Sequence, residues 1–312
     1  MTTLMFQNVL LVRNDGTTMR RVVTTSSKPS RGSRIAKTVY SDTVRFVFFA
    51  GLEGTGHHAW QDVWAKCPVE NTKRRLEFRC AFDTELLNAL YSGFNGAGGL
   101  FNPKDEKQYQ KRRNQILRLF KKYSAKSDGI PTAVILNTFM ETGQGSGMIS
   151  YPNFKGPLKP LHHGRLEILA ELAEIAQVDL RIVYLDRPAG EIARSDLRRF
   201  QDGPPVDEMM MLIDNAMILR TQLEMIDFKF FRCFDTLHAT LDETMSILKF
   251  ILPVSATSSR DLFQNKILSN MASKIKHKKK EKVVNLGQKD IGDGMLRILE
   301  MSVQGIRGIC PV

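Results

Sequence analysis

The 312-residue chain has few cysteines and no CxxC pair, since Cys67, Cys80, Cys233 and Cys310 stand singly. This spacing predicts no zinc site and favours reduced thiols over a disulfide scaffold. The chain also lacks an uninterrupted run of about 18 apolar residues, so no transmembrane helix is predicted. Its N-terminus lacks the charged and apolar regions of a signal peptide. From these missing signals we expect a cytoplasmic protein, or a Golgi-associated one if the N-terminus is incomplete.

The composition is that of an ordinary globular protein, with 42% hydrophobic and 25% charged residues. The net charge of +12 is concentrated at the two ends of the chain. We therefore expect a flexible basic leader at 1–43, a folded domain at 44–254 and a basic extension at 255–312. We interpret the basic ends as solvated segments and expect no nucleic-acid partner, the alternative being an arm for nucleic acid or a membrane surface.

One stretch organises the folded part: an apolar run followed at once by a glycine-rich turn. Val44 to Ala50 has the length and composition of a buried strand. Gly51, Gly54 and Gly56 follow, and glycine lets the backbone take positive φ and approach a ligand closely. A helix is predicted over 59–66. A glycine turn that leads into a helix N-terminus offers free N–H groups and a positive dipole end, which together favour an anion.

The glycine spacing is partly that of a nucleotide P-loop. Gly51 and Gly56 lie as far apart as the glycines of G-x-x-x-x-G-K-[ST]. His57 and His58 stand where that motif has its lysine and hydroxyl, which hold the β/γ-phosphates and Mg²⁺. This argues against ordinary ATP or GTP hydrolysis, although the backbone cradle for phosphate is unaffected. A glycine-rich turn without a ligand is the alternative.

Strands and helices alternate along the rest of the folded part, which predicts an α/β fold with a doubly wound parallel sheet. Predicted strands cover 76–80, 132–139, 179–185 and 228–234. Predicted helices cover 83–91, 104–123, 166–177, 189–200, 207–226 and 236–252. Glycine-rich loops are predicted at 92–99 and 141–147.

A second motif lies at the end of the strand at 179–185. Arg187 follows this strand, and Ser195 lies eight residues further on, two turns into the predicted helix. An arginine at a strand end and a serine on the next helix can grip one phosphate from two sides. Taken alone, the pair is better explained as a structural arginine and a capping or solvent-facing serine.

Together these segments resemble the sulfotransferase family, enzymes of P-loop fold that use 3′-phosphoadenosine 5′-phosphosulfate (PAPS). The turn at 51–58 resembles the family's 5′-phosphosulfate loop. Residues 185–195 resemble its 3′-phosphate motif, including the spacing of eight from arginine to serine. The segment at 228–252 is similar to the end of the family's core, so the resemblance covers about residues 44–254.

The resemblance implies sulfuryl transfer from PAPS to a hydroxyl or amine of a small-molecule or glycan acceptor, without a metal. It assigns the cofactor to Gly51, Gly54, Thr55, Gly56, His57, His58, Arg187 and Ser195. Backbone N–H groups of the turn would hold the 5′ phosphosulfate, whereas Arg187 and Ser195 would hold the 3′-phosphate.

The catalytic groups are less closely defined by the resemblance. The family usually has a lysine or arginine in or before the turn and hydroxyl residues after its last glycine. Here His57 or His58 would have to supply the positive charge. The general base would be Glu53, Glu141 or one of the histidines.

Two other functions fit parts of the same sequence. In a P-loop nucleotide kinase or NTPase, the strand ending at Asp186 would supply a metal-binding carboxylate. In a catalytically inactive protein of the same fold, the nucleotide would bind without turnover. Acceptor specificity is expected from the loops at 92–103 and 142–165.

Overall fold

The computed structural model describes residues 44–64, 67, 79–92, 98–125, 129–141, 145–152, 165–199, 205–253 and 293–310. The expected leader at 1–43 and the first part of the expected extension, 255–292, lie outside these residues. Strands are β1 (Val44–Ala50), β2 (Arg79–Phe82), β3 (Thr132–Ile135), β4 (Thr138–Glu141), β5 (Gly145–Met148), β6 (Asp179–Asp186) and β7 (Phe231–Asp235). Helices are α1 (His57–Trp64), α2 (Thr84–Tyr91), α3 (Glu106–Ala125), α4 (Leu166–Ala176), α5 (Ala189–Arg199), α6 (Pro205–Glu224), α7 (Leu241–Ile251) and α8 (Asp293–Arg307).

Five strands form one sheet in the order β2-β3-β1-β6-β7, and each neighbouring pair is parallel. The central strand β1 is buried along its whole length, as expected when helices cover both faces of a parallel sheet. After β1 the chain turns towards β2, whereas after β6 it turns towards β7. The neighbours β1 and β6 therefore form a topological switch point, where open α/β sheets bind their ligands.

Alternate side chains of β1 enter two separate cores. Phe46 and Phe48 pack on one face with residues of α2 to α6 and α8. Val47 and Phe49 pack on the other face with α1 and α7, and the Phe49 ring lies 4.8 Å from that of Trp60. Helices on both faces confirm the predicted α/β class and the doubly wound sheet.

Local signals explain where several helices begin. The carboxylate of Asp83 accepts the backbone N–H of Leu86 at 2.9 Å and caps α2. Thr240 and Glu243 form a reciprocal capping box at the start of α7. Because this cap fixes the start of α7 at Leu241, residues 236–240 form a turn, and the predicted helix from 236 is too long by that turn.

The predicted strand at 132–139 is two strands, separated by Leu136 and Asn137. The Asn137 amide accepts the backbone N–H of Phe49 at 3.1 Å and donates to the carbonyls of Phe49 and Ile149, each at 2.8 Å. This side chain replaces backbone pairing at the end of β1. The chain therefore leaves the sheet here and continues as β4. Strand β4 then pairs with β5 in a separate antiparallel ribbon.

Helix α8 belongs to the folded domain, which therefore does not end at 254. Its residues Leu299, Val303 and Ile306 are buried, and the helix packs along α6. Their spacing of four and three residues puts them on one helical face. Within the expected basic extension, the assignment stays a prediction only for residues 255–292.

The four cysteines form two disulfides, Cys67–Cys80 and Cys233–Cys310. The prediction of reduced thiols is therefore wrong. The first bridge connects the residue at 67, beyond α1, with β2, and the second ties β7 to the chain just after α8. Within the described residues, none of the helices has the length and hydropathy to span a membrane.

Candidate functional site

The turn after β1, residues 51–56, is called the glycine turn below, and hydrogen bonds fix its shape. Gly51 exchanges two backbone hydrogen bonds with Tyr151, at 2.6 and 3.2 Å. The backbone N–H and the hydroxyl of Thr55 both donate to the carbonyl of Leu52, at 3.1 and 2.7 Å. The turn is therefore closed on itself and attached to the segment after β5.

Two of the glycines are required by the backbone and by close packing. Gly54 and Gly56 have φ values of +86° and +100°, which other residues rarely adopt. A Cβ atom at position 54 would lie 2.9 Å from the carbonyl oxygen of Ile192 and 3.0 Å from Cβ of Ser195. A Cβ at position 56 would lie 3.1 Å from the hydroxyl of Thr236. The glycine turn is thus pressed between α5 and the turn after β7.

Arg187 reaches the glycine turn from the end of β6. Its Nη1 donates to the carbonyl of Gly54 at 2.8 Å. The side chain is buried, and within the described part of the chain its Nε has no hydrogen-bond acceptor. Burial lowers the pKa of Arg187, while the carboxylates of Glu191 and Asp235 oppose this shift. The guanidinium stays charged at any physiological pH and keeps one buried N–H for a further acceptor.

Ser195 lies on α5 against the same turn, as its contact with Gly54 requires. The structure therefore brings together Gly51, Gly54, Thr55, Gly56, Arg187 and Ser195, the residues that the two sequence motifs nominated. Their role in binding a cofactor stays a prediction.

Of the four proposed catalytic residues, the structure describes the side chains of two. His57 is the first residue of α1 and is buried, with Nδ1 3.4 Å from the hydroxyl oxygen of Thr55. Glu53 lies within the glycine turn, where its carboxylate accepts the hydroxyl of Ser150 at 2.5 Å. His58 lies in α1 and Glu141 ends β4, but their side chains are outside the described part of the structure.

Thr236 is a site residue that the sequence motifs did not nominate. Its hydroxyl lies 2.7 Å from the carbonyl oxygen of Thr55, to which it donates, and 3.1 Å from that of Asp186. Its backbone N–H also donates to the Asp186 carbonyl at 3.0 Å. Thr236 therefore ties the glycine turn to the ends of β6 and β7. The resemblance at 228–252 included this turn, but residue type alone gave no reason to select the threonine.

Two carboxylates end the strands next to the site. Asp186 accepts the backbone N–H of Arg187 at 2.8 Å and forms an ion pair with Arg307 of α8. Burial raises the pKa of Asp186, and the hydrogen bond from Arg307 only partly offsets this. Burial also acts to raise the pKa of Asp235, but the N–H groups of Leu237 and His238 outweigh it, so that this pKa is lowered.

Among the residues described, no group of three or more His, Cys, Asp or Glu side chains is placed to hold a metal ion. No protein-family model matches the chain, and a search of the curated proteins found no match. The function is therefore inferred from the geometry of the site and from the sequence motifs.

Proposed function

We propose that the protein is a PAPS-dependent sulfotransferase of P-loop-like fold whose cofactor binds at the switch point between β1 and β6. One observation carries the proposal: the guanidinium of Arg187, at the end of β6, contacts the Gly54 carbonyl in the turn after β1. A single ligand with anionic groups at two positions can therefore reach both motifs.

The 5′ phosphosulfate is assigned to the glycine turn. In the described part of the chain, the backbone N–H groups of Gly54 and Gly56 have no hydrogen-bond acceptor. The N-terminus of α1 adds the positive end of a helix dipole. These groups stabilise negative charge without a metal ion or a side chain.

The 3′-phosphate is assigned to Arg187 and Ser195. Among the residues that the structure describes, the buried Nε group of Arg187 has no acceptor, and Ser195 approaches the same turn from α5. The charged guanidinium and the uncharged hydroxyl would each donate to the phosphate and so hold it from two sides.

When bound, the cofactor supplies an activated sulfuryl group, so the protein has to orient the acceptor, neutralise charge and remove a proton. In the sulfotransferase family a lysine or arginine supplies the positive charge. Here that role is assigned to His57, at the N-terminus of α1, with His58 as the alternative. Glu53 is a candidate base because it lies in the glycine turn itself; Glu141 and the two histidines are the alternatives.

The contacts of Asp186 favour this proposal over a P-loop kinase or NTPase. A magnesium-binding carboxylate needs free oxygens, yet this one pairs with Arg307 and accepts the N–H of Arg187. A nucleotide-binding protein without activity would share the site, and it would bind PAPS without turnover.

The two disulfides favour the Golgi-associated alternative over the cytoplasmic one. Disulfides persist in the secretory pathway, whereas the cytosol keeps thiols reduced. A small-molecule or glycan hydroxyl is the acceptor class proposed for this compartment.

The Arg187→Ala variant tests the cofactor assignment. We expect it to bind adenosine 3′,5′-bisphosphate at least tenfold more weakly in calorimetry with a metal chelator, since a hydrogen bond to a charged group contributes about 1.5–3 kcal/mol. Ser195→Ala removes a hydrogen bond whose donor is uncharged and should weaken binding several-fold.

Arg181→Ala is the matched control, because Arg181 lies on the same strand five residues from its end and pairs with Asp179. The Arg181→Ala variant should bind the bisphosphate within about twofold of wild type. Arg181 lies roughly 15 Å along the strand from the end of β6, which is more than the Debye length at physiological salt. Equal affinity of the Arg187→Ala and wild-type proteins would refute the assignment.

A further inference from the structure

The proposed anion site has acidic neighbours, which by themselves oppose the binding of an anion. Asp186 and Asp235 end the adjacent strands β6 and β7 and are paired in the sheet. Asp186 is buried and directly precedes Arg187 in the sequence. Charges that are partly shielded from water interact more strongly than exposed ones, so the balance of charge here affects any bound phosphate.

A cation from the far end of the chain compensates these carboxylates. The Nε group of Arg307 donates to the carboxylate of Asp186 across a sequence separation of 121 residues. Asp186 and Asp235 both favour the charged form of Arg307 and raise its pKa, against the effect of burial. The interaction therefore joins α8 to the strand ends that carry Arg187.

The C-terminal end of helix α8, where Arg307 is the last residue, is held firmly in place. Ile306 is fully buried next to it, and Cys310, three residues on, is bonded to Cys233 of β7. Cys233 itself pairs with Tyr184 in the sheet, two residues before Asp186. The guanidinium is thus presented to Asp186 by a helix end that is covalently tied to the neighbouring strand.

We infer that Arg307 is a positioning residue of the anion site: by neutralising Asp186 it keeps the end of β6, with Arg187, able to receive a phosphate. This inference rests on the proposed function. Asp186 in turn holds the backbone N–H of Arg187 at 2.8 Å, so a displaced carboxylate would also disturb the residue that binds the ligand. An unpaired buried carboxylate is costly, and it repels an anion bound nearby.

The test is a double-mutant cycle on Asp186 and Arg307, with calorimetry of adenosine 3′,5′-bisphosphate binding to the full chain. Arg307→Met should weaken binding roughly tenfold, within the usual range for coupled sites. Asp186→Asn keeps an oxygen that can accept the Arg187 N–H but removes the charge. In that background Arg307→Met should change affinity by less than about twofold, because the carboxylate that Arg307 pairs with directly no longer carries a charge.

Arg297→Met is the matched control. Arg297 is an exposed arginine on the same helix, and ten residues of α-helix place it roughly 15 Å from Arg307 along the axis. The Arg297→Met variant removes the same charge as Arg307→Met and should leave the bisphosphate affinity within about twofold of wild type. Thermal unfolding without ligand is recorded for each variant. If Arg307→Met does not fold, a tenfold loss caused by Arg307→Met within the Asp186→Asn background would still overturn the inference.

Arg307→Met binding as tightly as Arg297→Met would overturn the inference. A tenfold loss that persists in the Asp186→Asn background would overturn it as well, because the role would then be structural. Failure of the wild-type protein to bind the bisphosphate would instead refute the proposed function, and the inference with it.

Discussion

The end of β1 and the ends of β6 and β7 lie side by side in the sheet, but different interactions stabilise them. The bonds that shape the glycine turn after β1 join uncharged groups, from Thr55 to Leu52 and from Thr236 to Thr55, and the charged contact with Arg187 is added to them. The ends of β6 and β7 are held by an ion pair with Arg307 and by a disulfide to Cys310.

The glycine turn therefore provides the shape of the proposed site, and the ends of β6 and β7 provide its charged groups. The glycine turn depends on a backbone conformation that its own sequence provides. The neighbouring strand ends carry the guanidinium that reaches the turn, and they are supported by α8, whose Arg307 lies 121 residues beyond Asp186 at the end of β6. Substitutions in the first region should therefore change local conformation, and substitutions in the second should act through α8.

The largest expected effect is that of removing the Cys233–Cys310 bridge. Replacing both cysteines by alanine should lower the free energy of unfolding by about 4 kcal/mol, because the bridge closes a long loop of 77 residues. It should also weaken bisphosphate binding, since α8 carries Arg307. Urea denaturation and calorimetry provide the two measurements.

Replacing Cys67 and Cys80 is the matched control for this bridge. Its loop of 13 residues is shorter, so the expected loss is about 1.5 kcal/mol smaller, and bisphosphate affinity should not change. Thiol alkylation followed by intact mass measurement checks the premise. Labelling of any cysteine in the folded, unreduced protein would contradict the two bridges.

The second prediction tests the glycine turn. Gly54→Ala should lower the free energy of unfolding by about 2 kcal/mol, because alanine is strained at φ +86° and its Cβ would approach the Ile192 carbonyl at 2.9 Å. Gly190→Ala is the control in the neighbouring region, as a Cβ there meets nothing within 4 Å and Gly190 lies in α5. It should be neutral or stabilising by up to about 1 kcal/mol. Equal destabilisation in urea would show that the turn does not need its glycine.

The smallest expected effect belongs to Thr236, which joins the two regions. Thr236→Val keeps the shape but removes the hydroxyl that bonds the Thr55 carbonyl, at an expected cost of about 1 kcal/mol in unfolding free energy. Thr221→Val is the comparison, since that exposed hydroxyl only bonds the Met217 carbonyl within α6. A change for Thr236→Val no larger than for Thr221→Val would mean that the bridge contributes nothing measurable.

The sequence predicted the features that local pattern determines. β1 and β6 are short, mainly apolar runs, and α4 has a clear apolar face, so their positions agree with the predictions to within one or two residues. The glycine turn and Arg187 were also recognised, because each directly follows such a strand. Parallel pairing then brings the two ends to the same edge of the sheet.

Features that depend on distant partners were missed. The run at 132–139 reads as one strand because its pattern does not reveal that the Asn137 side chain bonds the backbone of Phe49. The bridge from Cys233 to Cys310 needs the fold before its partners can be matched. For α8 a signal was present in Leu299, Val303 and Ile306, but the lysine-rich segment before it dominated the interpretation of 255–312.

We propose that one ligand with a 3′-phosphate and a 5′ anionic group bridges the glycine turn and Arg187. The decisive experiment is calorimetry of the wild-type protein in a metal chelator, with adenosine 3′,5′-bisphosphate and adenosine 5′-monophosphate in parallel. The bisphosphate should bind at least tenfold more tightly, because only its 3′-phosphate engages the guanidinium. Equal affinities for the two nucleotides would contradict it.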